Sequence, residues 1–196
     1  MLDGRWLYVL ALPIALGIVA RRAGTARALV ALIALAHVAI LANVALFPVP
    51  IDRALQVAGQ TAGASLAGGG RLNLVPFATI GPVIAGRAPP IATQIAILNV
   101  FVLTPAGIYL PLLFRSLRGW RALVAMTILG GASIEAAQLV MSAAVGFRYR
   151  FIDIDDVILN AIGIAVGWLI VRAALQARRP PHPAPRANDQ GGATNR

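Results

Sequence analysis

The sequence has no cysteine, no lysine and only two histidines. Without cysteine there is no disulfide framework and no thiolate metal site, and the redox compartment is left open. Charge is scarce as well. Charged residues make up 12% of the chain and aromatics 6%, whereas a soluble domain carries about a quarter charged residues. With 59% hydrophobic residues, too few polar side chains remain to cover a water-facing surface. The surplus must face lipid. The charge that is present is one-sided: all 17 basic residues are arginine, set against 7 acids, for a net +10. Such a balance could suit nucleic acid, but no basic stripe interleaves with aromatics. Membrane proteins collect arginine in cytoplasmic loops, so no nucleic-acid partner is expected.

A helix crossing about 30 Å of hydrocarbon needs about 20 residues. Five stretches approach or meet that length: about Trp6–Ala20, Ala28–Phe47, Ile91–Phe114, Ala122–Val145 and Val157–Leu175. The first is short, but Arg5 and Arg21 at its ends can snorkel to the interface. A cleaved signal peptide carries its positive charge before the apolar run; here Arg21, Arg22 and Arg27 follow it, which favours an uncleaved helix. The expected fold is therefore all-α: a polytopic bundle of five transmembrane helices forming a single domain over residues 1–177. Residues 54–70 read as a flexible loop rich in Gly and Ala. Residues 72–86 are apolar but broken by Pro76, Gly81 and Pro82, which predicts an interfacial or re-entrant segment, because broken backbone does not face lipid. Residues 178–196 read as a disordered cytoplasmic tail.

Arginine counting sets the orientation. With the N-terminus outside, eleven arginines face the cytoplasm (21, 22, 27, 115, 118, 121, 172, 178, 179, 186 and 196) and six face outward (5, 53, 71, 87, 148 and 150). The expectation is N-out, C-in, in the cytoplasmic membrane of a bacterium. Asp3, Asp52, Asp153, Asp155 and Asp156 then fall on the outer side.

Glu135 lies within the fourth stretch. A carboxylate there costs a few kcal/mol and faces a bundle interior. Gly131, Glu135, Gln138 and Ser142 share its helical stripe. Asp153 and Asp156, just before the fifth stretch, and Asn160, Gly163 and Gly167 within it form another. Acids suit a helix N-terminus, so Asp155 and Asp156 also read as capping residues. Gly163 and Gly167 read as a small-xxx-small packing step. Arg148 and Arg150 precede the acidic run, as charge-balancing partners or as a guanidinium fork for phosphate or carboxylate. His37 has no partner at ligand spacing on its own helix and reads as a satisfied interior histidine. No hydrolase elbow, phosphate loop or zinc-helix motif is present. Three Asp in four positions lack the remaining ligands and Gly turn of a calcium loop. No metal and no cofactor is expected.

Four segments in order resemble the VanZ-like family of small bacterial membrane proteins. Asn73-Leu74-Val75-Pro76-Phe77 is similar to its N-L-[IV]-P-F segment. Asn99-Val100-Phe101, with Pro105-Ala106-Gly107 and Leu110-Pro111-Leu112-Leu113, is similar to its third-helix pattern. Ser133 to Gln138 resembles an S-x-E-x-x-Q pattern. Arg150, Asp153, Asp156, Asn160 and Gly163 match R-x-x-D-x-x-D-x-x-x-N-x-x-G. The resemblance covers about residues 71–170. It departs at Ala106, where the family often has a bulkier residue. The family's founding member is associated with resistance to teicoplanin, which implies a cell-envelope role without implying a reaction.

On this reading Asn73, Pro76, Phe77, Asn99, Glu135, Gln138, Arg150, Asp153, Asp156 and Asn160 line an outer-leaflet site. Its ligand would be an envelope lipid, a lipid-linked glycan or a glycopeptide antibiotic. A second reading is an enzyme acting on such a lipid, with Glu135, Asp153 and Asp156 as acid–base carboxylates. A third is a structural protein that binds a partner. Transport is disfavoured, since no internal repeat is evident.

Overall fold

A computed structural model describes residues 24–47, 72–144 and 152–178. The expected helix at 6–20, the loop at 54–70, Arg148, Arg150 and the tail from 179 onward lie outside the described residues.

Four long helices build the bundle: α1 (Thr25–Leu46), α3 (Pro90–Leu113), α4 (Trp120–Ala144) and α5 (Ile154–Ala177). Among the described residues these four are long and apolar enough to cross a membrane. Their sides carry exposed Leu29, Ile33, Val44, Leu129, Val140 and Leu169, an outward-facing apolar surface that suits lipid and not water.

The helix ends follow local chemistry. α1 begins three residues before the apolar run, with Ala28 N–H donating to Gly24 O at 3.0 Å. It stops before Pro48, where Phe47 turns extended (φ −113°, ψ 157°), as a residue preceding proline prefers. α3 starts on Pro90, a position that has no helical acceptor to lose. It contains Pro105 and Pro111, which remove the donors to the Phe101 and Gly107 carbonyls. α5 was expected from about Val157 but starts at Ile154. Asp153 is its N-cap, its side chain accepting from Asp155 N–H at 2.9 Å, and such a cap carries the helix back past the apolar boundary.

Between α1 and α3 runs the broken segment: β1 (Leu72–Asn73), a turn, then the short α2 (Ile80–Ile84). β1 pairs in parallel with β2 (Ile152–Asp153), Leu72 opposite Ile152 and Asn73 opposite Asp153. This two-residue ladder is the one strand pairing among the described residues and a small departure from the all-α expectation.

α3 and α5 pack at backbone distance. A Cβ at Gly163 would collide with Val100 O, one at Gly167 with Thr104 O and one at Gly107 with Ile164 O. α4 closes on α5 through Gly131, where a Cβ would come within 2.8 Å of Val157 O. Leu103, Ala106, Tyr109, Met126, Ile164 and Trp168 fill the centre, with Ala34 of α1. His37 is half-buried, its ring Nε2 2.8 Å from Val102 O and its Nδ1 3.4 Å from the Tyr109 hydroxyl. A carbonyl only accepts, so Nε2 carries the hydrogen. That is the satisfied interior histidine the sequence suggested.

The bundle has two chemically different ends. One gathers the start of α5, the start of α3 and the ends of α1 and α4, together with Glu135, Asp153, Asp155 and Asp156. The other gathers Arg27, Arg115, Arg118, Arg121, Arg172 and Arg178.

Candidate functional site

The acid end is organised around Asp155, which has no exposed surface. Its carboxylate accepts three backbone N–H groups from the broken segment: Phe77 at 2.6 Å, Thr79 at 2.7 Å and Ile80 at 3.0 Å. These amides lie in a turn and at the start of a short helix, so they have no partner of their own. One carboxyl group satisfies all three. The turn runs through Phe77 with φ +67°, a left-handed conformation uncommon for a bulky residue. The hydrogen bond to Asp155 holds it there.

Asp153 completes the clasp. Its Oδ1 accepts from Asn73 Nδ2 at 3.0 Å as well as from Asp155 N–H, and its Oδ2 accepts from the Thr79 hydroxyl at 2.5 Å. Asn73 Oδ1 in turn accepts from Val75 N–H at 3.2 Å. Both oxygens of Asp153 are therefore engaged in holding residues 72–80 against α5.

Asp156 turns the other way, and Asn99 of α3 donates to it. Glu135, on the buried face of α4, lies near Asp153 and Asp156, so the acid-bearing parts of α4 and α5 meet here. The three aspartates at the start of α5, Asp153 as its N-cap and Asp155 and Asp156 in its first turn, thus reach three different sets of partners. Among the described residues no three His, Asp or Glu side chains converge as a metal group.

The buried face of α4 comprises Met126, Gly131, Glu135, Gln138 and Ser142. Gln138 Nε2 donates to Ala45 O near the end of α1, at 3.1 Å. On α5, Asn160 is buried with Gly163 and Gly167. Four buried oxygens in this region have no hydrogen-bond partner among the described residues: Glu135 Oε2, Gln138 Oε1, Ser142 Oγ and Asn160 Oδ1. An unmatched buried acceptor costs about 1–3 kcal/mol, and four at one end of a bundle call for donors from elsewhere.

Of the residues selected from the sequence, the structure brings together Asn73, Asn99, Glu135, Asp153 and Asp156. Asn160 extends the polar lining toward the centre, and Gln138 extends it toward the end of α4. Pro76 and Phe77 have exposed side chains, and Phe77 contributes through its backbone. Arg150 lies outside the described residues. Sequence reasoning missed Asp155 as an anchor, and missed Thr79 altogether. Thr79 left a signal: it and Asn73 are the two polar side chains in the apolar run 72–86. Asp155 left less, because its partners are backbone amides.

The fold and the site together define a polytopic helical membrane protein with a buried polar cluster at one end, closed over by a broken loop. The model of the VanZ/LLP1 family matches residues 29–175, which include almost all of α1 and every residue of this cluster. The chain belongs to the VanZ/LLP1 family. No curated protein and no solved structure matches it.

Proposed function

We propose that this chain is a bacterial cell-envelope protein that holds the polar head of an amphiphile at its acid end, on the outer face of the cytoplasmic membrane. The observation that carries this reading is the set of four unmatched buried oxygens, Glu135 Oε2, Gln138 Oε1, Ser142 Oγ and Asn160 Oδ1. Two of them, the amide oxygens of Gln138 and Asn160, only accept, and the Glu135 oxygen accepts whenever its carboxyl is ionised. Their complement is a ligand rich in hydroxyl or ammonium donors, as a glycan or an amine-bearing headgroup is. Envelope lipids, lipid-linked glycans and glycopeptide antibiotics all meet that description. The last would connect the site to the glycopeptide resistance for which the family's founding member is known.

The rim supports an amphiphile over a free sugar. Leu74, Val75, Phe77 and Ile84 of the broken segment are all more than half exposed. On an interfacial segment they would lie beside acyl chains while the head enters the polar cluster.

A second reading, acid–base chemistry on the same headgroup, draws on the neighbouring carboxyl groups of Glu135 and Asp156. Two neighbouring acids in unlike surroundings are a common source of a proton donor and an acceptor.

Native mass spectrometry of the protein in lipid nanodiscs tests the first reading, with Glu135→Gln and Asp156→Asn alongside the wild type. The expected result is a discrete adduct on the wild type that both variants lose while remaining folded. No adduct, with variants as stable as the wild type, would reduce the cluster to a packing network. Turnover of a radiolabelled envelope lipid by the purified protein would establish the second reading.

A further inference from the structure

The opposite end of the bundle carries a second polar feature, independent of the acid cluster. α3 ends there with its last carbonyls unpaired, and arginines take them up. Arg27 of α1 donates to Leu113 O at 2.7 Å, and Arg118 Nε donates to Pro111 O at 2.9 Å. Each guanidinium has five N–H donors, so each keeps several free. Arg115 has no hydrogen-bond or ion-pair partner among the described residues. These three arginines line a cleft of about 580 Å³ between the start of α1, the end of α3 and the 3₁₀ turn Arg115–Arg118, with Val30, Leu112 and Phe114 as its apolar walls. Arg118 also lines a neighbouring cleft of about 330 Å³ with Trp168 and Arg172, and there the Arg172 guanidinium lies 5.1 Å from the Trp168 ring centroid.

We propose that the cleft of Arg27, Arg115 and Arg118 binds the phosphate of an anionic phospholipid. The four acids of the described residues all sit at the other end, so no carboxylate among the described residues neutralises these guanidiniums. Two of the three are already oriented by backbone carbonyls, so little side-chain freedom is lost on binding phosphate. The walls distinguish a lipid from free phosphate: Val30, Leu112 and Phe114 line the same cleft as the charges and offer an acyl chain an apolar surface. Arginines that served only to set topology would need neither a cleft nor an apolar floor. Basic pockets between helices on the cytoplasmic side are a recurring form of anionic headgroup recognition.

The test uses the purified full chain in detergent, with equimolar phosphatidylglycerol and phosphatidylcholine added, read by native mass spectrometry. The expected result is preferential retention of phosphatidylglycerol. Arg115→Gln, which removes a side chain with no hydrogen bond among the described residues, should weaken that retention about fivefold, and Arg115→Lys should keep most of it. Arg178→Gln, at the same end but outside the cleft, should change nothing. Equal retention of the two lipids overturns the proposal. So does an equal loss from Arg178→Gln, which would indicate diffuse surface charge. Displacement by an equal concentration of soluble glycerol phosphate would make the site one for free phosphate and overturn the lipid assignment.

Discussion

The backbone N–H of Phe77 donates to Asp155 Oδ1 at 2.6 Å across 78 positions of chain. A side chain at the start of the last helix thereby sets the backbone of a turn that precedes α3. Asp155→Ala would leave three amides without an acceptor, those of Phe77, Thr79 and Ile80. The expected loss is about 3–5 kcal/mol. Asp155→Asn should fall between, since its amide nitrogen would confront an N–H. Unfolding midpoints in detergent, with protease sensitivity of residues 72–89, check this; an unchanged midpoint in Asp155→Ala would remove the anchor.

This contact also marks where sequence reasoning stops. The stripes through Glu135, Gln138 and Ser142, and through Asn160, Gly163 and Gly167, follow from helical period alone, and all six residues are buried. The helices themselves follow from apolar run length. Asp155 is different. It is off the stripe, and it looks like a cap because acids at a helix start usually are caps. Its real partners are amides some 75 residues earlier, and every residue type has an amide. The two-residue β1–β2 ladder is hidden for the same reason: two residues are too few to show a strand period.

Gly163 lies against the Val100 carbonyl with no room for a Cβ. Gly163→Ala should push α3 and α5 apart and cost about 1–3 kcal/mol. Gly119→Ala, where the added methyl meets nothing within 4 Å, should stay within about 0.5 kcal/mol of the wild type. Thermal unfolding of the two variants side by side gives the comparison; equal midpoints would argue against close helix packing.

Asn99 and Asp156 form a hydrogen bond across the α3–α5 contact. A double-mutant cycle with Asn99→Ala and Asp156→Ala should yield a coupling energy of about 1–3 kcal/mol, as for a bond to a charged group. Additive losses would mean that the two side chains act separately.

Arginines 27, 115, 118, 121, 172 and 178 gather at one end of the bundle, and the positive-inside rule assigns that end to the cytoplasm. A reporter that works only in the cytoplasm, fused after Arg196, should be active. One that works only outside should be silent in the same position, and the reverse pattern would invert the orientation.

The pairing of Leu72 with Ile152 also has a meaning in time. The ribosome makes residue 72 long before residue 152, and at about 5–20 residues per second the roughly 80 residues between take about 4–16 s. During that interval Asp155, the acceptor for the amides of Phe77, Thr79 and Ile80, has not yet been made. Hydrocarbon does not admit unpaired amides, so the broken segment waits in water or among headgroups while the next two helices insert. Arrival of the last helix then completes the bundle and closes its acid end in one event. A nascent chain released before Ile152 would carry every residue of the broken segment, yet have nothing to fasten it.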